Sequence, residues 1–127
     1  MILVVDDDHH SSRALLRLLK MHGFDASAAE CANNALHMMR RQEPSMVLLD
    51  CHMPDFDGFM MLKVLKTEPG LADVPVVMFS AGDEADEARS LSLGARAFVR
   101  KGTHGWPRIL EVVKRFAGNG SCACGTR

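Results

Sequence analysis

The sequence predicts an α/β domain, a doubly wound five-stranded parallel sheet with helices on both faces. Three observations carry this expectation. Short apolar runs alternate five times with segments of helical period, with no long linker and no internal repeat between them. Two of those runs, Ile2–Val5 and Met46–Leu49, are apolar at every position, as strands buried on both faces are. Each run is followed by a helix before the next begins, which is the repeat that lays strands in parallel.

The elements follow in order. Ile2 to Val5, bounded by acids, is the first strand. From Ser12 onward, Leu15, Leu18, Leu19 and His22 recur at helical spacing, with His9 and His10 at the helix start and Gly23 at its end. Phe24 to Ala28 is a weak second strand of small side chains. Ala32, Ala35, Leu36 and Met39 mark a second helix with a basic last turn, closed by Pro44. Met46 to Leu49 runs into Asp50. Asp57 caps a third helix through about Lys66, apolar at Phe59, Met61, Leu62 and Leu65. Val74 to Phe79 is a fourth strand, entered through Pro75. Asp83 to Leu93 is a thin helix stopped by Gly94, and Arg96 to Val99 is a fifth strand. A fifth helix starts at Trp106, with Pro107 in its first turn and Ile109, Val112, Val113 and Phe116 on one face.

Composition narrows the class. With 127 residues, 47% hydrophobic and 24% charged, the chain has the size and balance of one globular domain. A net charge of -1, from 15 basic and 16 acidic residues, lacks the basicity of a nucleic-acid-binding domain. No apolar run approaches the roughly 20 residues of a membrane span, and the N-terminus lacks the features of a signal peptide. The expectation is a cytoplasmic domain over 1–117 with a flexible tail over 118–127. Cys31 and Cys51 are isolated, and Cys122 and Cys124 lie in that tail, where two thiolates are too few for a closed metal site.

The polar residues at the strand ends carry chemistry. Asp6, Asp7 and Asp8 follow the first strand, Asp50 the third, Ser80 the fourth and Lys101 the fifth. In a parallel sheet all these ends lie on one rim, where such folds bind ligands. Two carboxylates 4 Å apart repel by roughly 4 kcal/mol at an effective dielectric of 20, so the cluster invites a cation. An oxygen-only set favours a hard ion, and Mg²⁺ takes one or two carboxylates while sharing a phosphate oxygen. A carboxylate beside Mg²⁺ and a lysine is placed to attack a phosphoryl group.

The motifs Ile2-Leu3-Val4-Val5-Asp6-Asp7-Asp8, Leu48-Leu49-Asp50-Cys51-His52-Met53-Pro54-Asp55-Phe56-Asp57-Gly58, Pro75-Val76-Val77-Met78-Phe79-Ser80-Ala81 and Gly94-Ala95-Arg96-Ala97-Phe98-Val99-Arg100-Lys101 resemble a response-regulator receiver domain of two-component signalling. The resemblance covers about residues 1–117. It implies a flavodoxin-like fold with strand order 2-1-3-4-5. It also implies Asp50 as phosphoryl acceptor and Asp6, Asp7, Asp50 and the backbone carbonyl of His52 around Mg²⁺, with Asp7 a direct ligand and Asp6 acting mostly through water. Ser80 resembles the switch hydroxyl, Lys101 its counter-charge and Phe98 the aromatic that turns inward when the Ser80 loop moves. Asp8 reads as a helix cap. His52 and Gly82 stand where family members tune dephosphorylation.

A histidine kinase or histidine phosphotransfer protein is the implied phosphate donor. A downstream protein would dock through the fourth helix, fifth strand and fifth helix, with no direct nucleic-acid or membrane contact. The chain departs from the family at Lys101-Gly102, where Lys-Pro with a cis bond is common, so a trans and looser loop is expected. Two other readings compete. One is a receiver-like interaction module that is not phosphorylated. The other is an Asp-nucleophile phosphohydrolase using Asp6 and Asp8, which His9-His10 fits poorly.

Overall fold

The computed structural model describes residues 1–51, 57–102 and 105–117. In order the elements are β1 (Ile2–Val5), α1 (His9–Met21), β2 (Ala26–Ala29), α2 (Ala32–Arg41), β3 (Met46–Leu49), α3 (Gly58–Thr67), β4 (Val76–Ser80), α4 (Glu84–Ser92), β5 (Ala97–Arg100) and α5 (Gly105–Ala117). The strands form one parallel sheet in the order β2-β1-β3-β4-β5. This is the order that the sequence motifs implied.

Alternation along each strand divides the core in two. Leu3 and Val5 of β1, with Val47 and Leu49 of β3, face a cluster closed by Ala35 and Met39 of α2 and by Phe59, Leu62 and Leu65 of α3. Ile2, Val4, Met46 and Leu48 point the other way, onto Leu15 and Leu19 of α1 and Ile109 and Val113 of α5. A sheet covered on both faces explains why β1 and β3 carry no polar residue. The helix α4 contributes least: Ser90 is its only buried residue, and it leans on α3 through Arg89, whose guanidinium lies 4.2 Å from the Phe59 ring centroid.

Several boundaries differ from the sequence expectation, each for a local reason. The second strand begins at Ala26, where pairing with Ile2 begins. Phe24 instead finishes the α1 turn, its N–H donating to the Leu19 carbonyl at 3.0 Å. The first helix starts at His9, where the sequence puts it, with Asp8 as its cap. Ser80 is the last residue of β4, paired with Arg100, so the fourth and fifth strands each end one residue later than expected. The fifth helix begins one residue early, at Gly105. The cap at Asp57 and the stops at Gly23 and Gly94 fall where the sequence puts them, while Asp83, expected as the first residue of the fourth helix, is its cap. Every peptide bond among the described residues is trans, and Gly102 has φ +140°. Residues 118–127, with Cys122 and Cys124, lie outside the described residues. Among the described residues no helix is long and apolar enough to cross a membrane.

Candidate functional site

The carboxyl ends of β1, β3, β4 and β5 bring Asp6, Asp50, Ser80 and Lys101 to one rim. Gly58 sets the near wall: a Cβ there would collide with the Asp50 carbonyl and Cys51 backbone, and its N–H donates to the Cys51 carbonyl at 2.9 Å. Only glycine lets the first turn of α3 come this close to the end of β3.

The Lys101 ammonium anchors the rim. It donates to Asp6 Oδ2 at 2.6 Å and lies 3.7 Å from Asp50 Oδ2, joining two residues 95 apart in the chain. Burial pulls its pKa down, but the Asp6 hydrogen bond and the charges of Asp50 and Asp6 outweigh this, so the net shift is upward. Asp6 is buried, which raises its pKa above the usual carboxylate range despite Lys101 and the Asp8 N–H, which donates to Oδ1 at 2.9 Å. The Lys101 backbone N–H donates to the Ser80 carbonyl at 2.9 Å, tying the loop to β4 without a proline. On the other side of this loop the Phe79 ring lies 5.9 Å from the ammonium and meets Trp106 edge-on at 5.4 Å.

Asp6, Asp7 and Asp50 each offer a carboxylate oxygen, all within 4.8 Å of one another. No histidine or cysteine joins them among the described residues, so the donor set is hard and suits a cation such as Mg²⁺. Asp50 keeps 12% of its side chain exposed, enough for an incoming group to reach it. Asp8 is not part of the set. Its carboxylate accepts from the His10 N–H at 3.0 Å and the Ser11 hydroxyl at 3.1 Å, as a cap does.

Ser80 is fully buried and accepts from the Gly82 N–H at 3.3 Å. Phe98 lies inward, in the cluster with Met78 and Phe59. His52, and with it the carbonyl expected at the cation, lies outside the described residues. Sequence reasoning passed over Cys51 and Ser90, which are fully buried behind Asp50 with the Cys51 sulfur 3.9 Å from Ser90 Oγ. The available signal was a small polarizable residue directly after Asp50.

The chain's similarities agree with this geometry. The family model "Response regulator receiver domain" matches residues 2–114. The phosphate regulon transcriptional regulatory protein PhoB of Klebsiella pneumoniae is 35% identical over 101 residues, which are 79% of this chain and 44% of that protein. The chain thus spans less than half the length of such curated relatives. Among solved structures, the receiver domain of NtrX from Brucella abortus superposes with a TM-score of 0.85 at 28% identity, covering 92% of this chain and 98% of that one. The signal receiver domain of a signal transduction histidine kinase from Syntrophus aciditrophicus gives 0.82 at 27% identity, covering 99% and 93%. With a family model that spans nearly the whole described fold, the chain belongs to the response-regulator receiver domains of two-component systems.

Proposed function

We propose that Asp50 accepts a phosphoryl group from a histidine kinase or histidine phosphotransfer protein, with Mg²⁺ held at Asp6, Asp7 and Asp50. The observation that carries this reading is the three-carboxylate cluster with one lysine ammonium inside it. An Asp50 oxygen attacks phosphorus, the bond from phosphorus to the donor imidazole nitrogen breaks, and the electron pair returns to that nitrogen. Bound Mg²⁺ would neutralise charge on the transferring oxygens. Asp6, Asp7 and Asp50 would hold it, Asp7 directly and Asp6 mostly through water, with the His52 backbone carbonyl as the further ligand that the family resemblance implies. Lys101, already 3.7 Å from Asp50, supplies a positive charge to the transferred group.

Ser80 then hydrogen-bonds a phosphoryl oxygen, and the movement of its loop repacks Phe98. The change is read by a protein partner at α4, β5 and α5, in the cytoplasm and without direct contact to nucleic acid or membrane. The only turnover in this reading is formation and hydrolysis of the chain's own aspartyl phosphate.

The test is incubation with a small acyl or amido phosphate and Mg²⁺, followed by intact-mass measurement. One phosphoryl addition is expected, absent in Asp50→Ala. Multiple turnover that survives Asp50→Ala but is lost in Asp6→Ala would show a hydrolase instead.

A further inference from the structure

At the opposite end of the strands from the Asp50 rim, a cavity of about 320 Å³ opens between α2 and the start of the sheet. It is lined by Met1, Ser27, His37, Met38, Arg41 and Gln42. Its origin lies in β2. Ser27 pairs with Leu3 and so shares the sheet face that α2 covers, where Leu3 and Ala29 are both core. A large apolar residue at position 27 would fill the space under α2. Serine is half-buried there and leaves it open.

The lining has two chemistries. Met1 and Met38 pack against the core cluster and give a wall of polarizable thioethers. Ser45 fixes Met1 in place, since its N–H and its hydroxyl both donate to the Met1 carbonyl, at 2.8 and 3.1 Å. The polar lining is Ser27, Gln42, and His37 and Arg41, which stand one turn apart on the same face of α2. No carboxylate is among the lining residues. The two arginines of the last turn differ in their commitments. Arg40 forks the Glu68 carboxylate through bonds of 2.9 and 2.7 Å, whereas Arg41 has no ion pair among the described residues.

We propose that this cavity binds a small carboxylate with an apolar body, of the class of an aromatic acid. The planar Arg41 guanidinium matches a carboxylate through two parallel N–H bonds, and the Met1 and Met38 thioethers receive the ring. At about 30 Å³ for an atom the size of a water oxygen, the volume suits a ligand of about ten non-hydrogen atoms. The site is separate from the phosphoryl chemistry and does not depend on it.

The experiment is an amide NMR titration of the full chain with benzoate, without Mg²⁺ so that the Asp50 rim stays out of the measurement. Saturable shifts are expected at Ser27, Met38, Arg41 and Gln42, with a midpoint on the order of 1 mM. Arg41→Gln removes the charged donor and is expected to raise the midpoint about tenfold or more, while Arg40→Gln is expected to change it less than about twofold. Ser27→Val fills the hollow and is expected to abolish the shifts. Should Ser27→Val fail to fold, benzamide tests the same site on the wild type. It keeps the ring, lacks the charge, and is expected to bind at least about tenfold more weakly. Inorganic phosphate has no apolar body and is expected to bind more weakly than benzoate. The inference is overturned if benzoate gives no saturable shift at about ten times the expected midpoint. It is equally overturned if Arg41→Gln leaves the midpoint unchanged, or if benzamide or phosphate binds as tightly as benzoate.

Discussion

Asp7 and Asp8 are adjacent in sequence and serve different neighbours. Asp7 brings an oxygen to Asp6 and Asp50, while Asp8 turns both of its oxygens to the first turn of α1. Asp7→Asn is therefore expected to weaken Mg²⁺ about tenfold or more and Asp8→Asn less than about twofold, by titration of Trp106 fluorescence. The Ser11 hydroxyl also holds the Asp8 carboxyl below its ordinary value of 3.8. Because the folded value lies below the unfolded one, this bond stabilises the fold above pH 3.8 and is lost as pH falls through the folded value. Ser11→Ala is expected to move the Asp8 midpoint upward, read by carboxyl carbon NMR. At this scale Asp6, Asp50, Ser80 and Lys101 were legible because strand ends in a parallel sheet converge whatever their separation. Cys51 and Ser90 were not: a thiol after an apolar strand reads as core, and a serine in a charged helix reads as solvated.

The helices differ in how firmly they are held, and α4 is the loosest by burial. It places Ser90 alone in the interior, whereas α3 buries Gly58, Phe59, Met61, Leu62 and Leu65. Its amides are expected to exchange with solvent well before those of β1, β3 and α3, which open only with the whole domain. The element most sensitive to a single methyl is the start of α3. Gly58→Ala is expected to destabilise the fold by about 3 kcal/mol, seen in the denaturant midpoint, because the added carbon meets backbone that cannot move aside. Element order and type were readable from periodicity, as were the ends of β1 and β3, but several other ends were not. The start of β2 depends on its register against β1, and the end of β4 on Ser80 pairing with Arg100, which are facts about partners distant in sequence.

The rim belongs to the whole domain, since four strands supply it and no single βα unit contains it. A ligand bound there stabilises the entire fold by mass action. Mg²⁺ with beryllofluoride at about 100 times its Kd is expected to add about 2.7 kcal/mol. In Asp50→Ala the accompanying rise in Tm is expected to disappear. The strand order was readable only through resemblance, because alternation alone does not say which strands are neighbours. The 95-residue span between Asp6 and Lys101 has a further consequence, in time as well as space. A chain emerging from the ribosome presents its acids and Asp50 long before β5 and the Lys101 that follows it. Until β5 docks beside β4, the carboxylates face one another without their ammonium. On the proposed reading, a chain truncated before β5 is expected not to accept a phosphoryl group at Asp50, by intact-mass measurement after incubation with a small acyl phosphate and Mg²⁺.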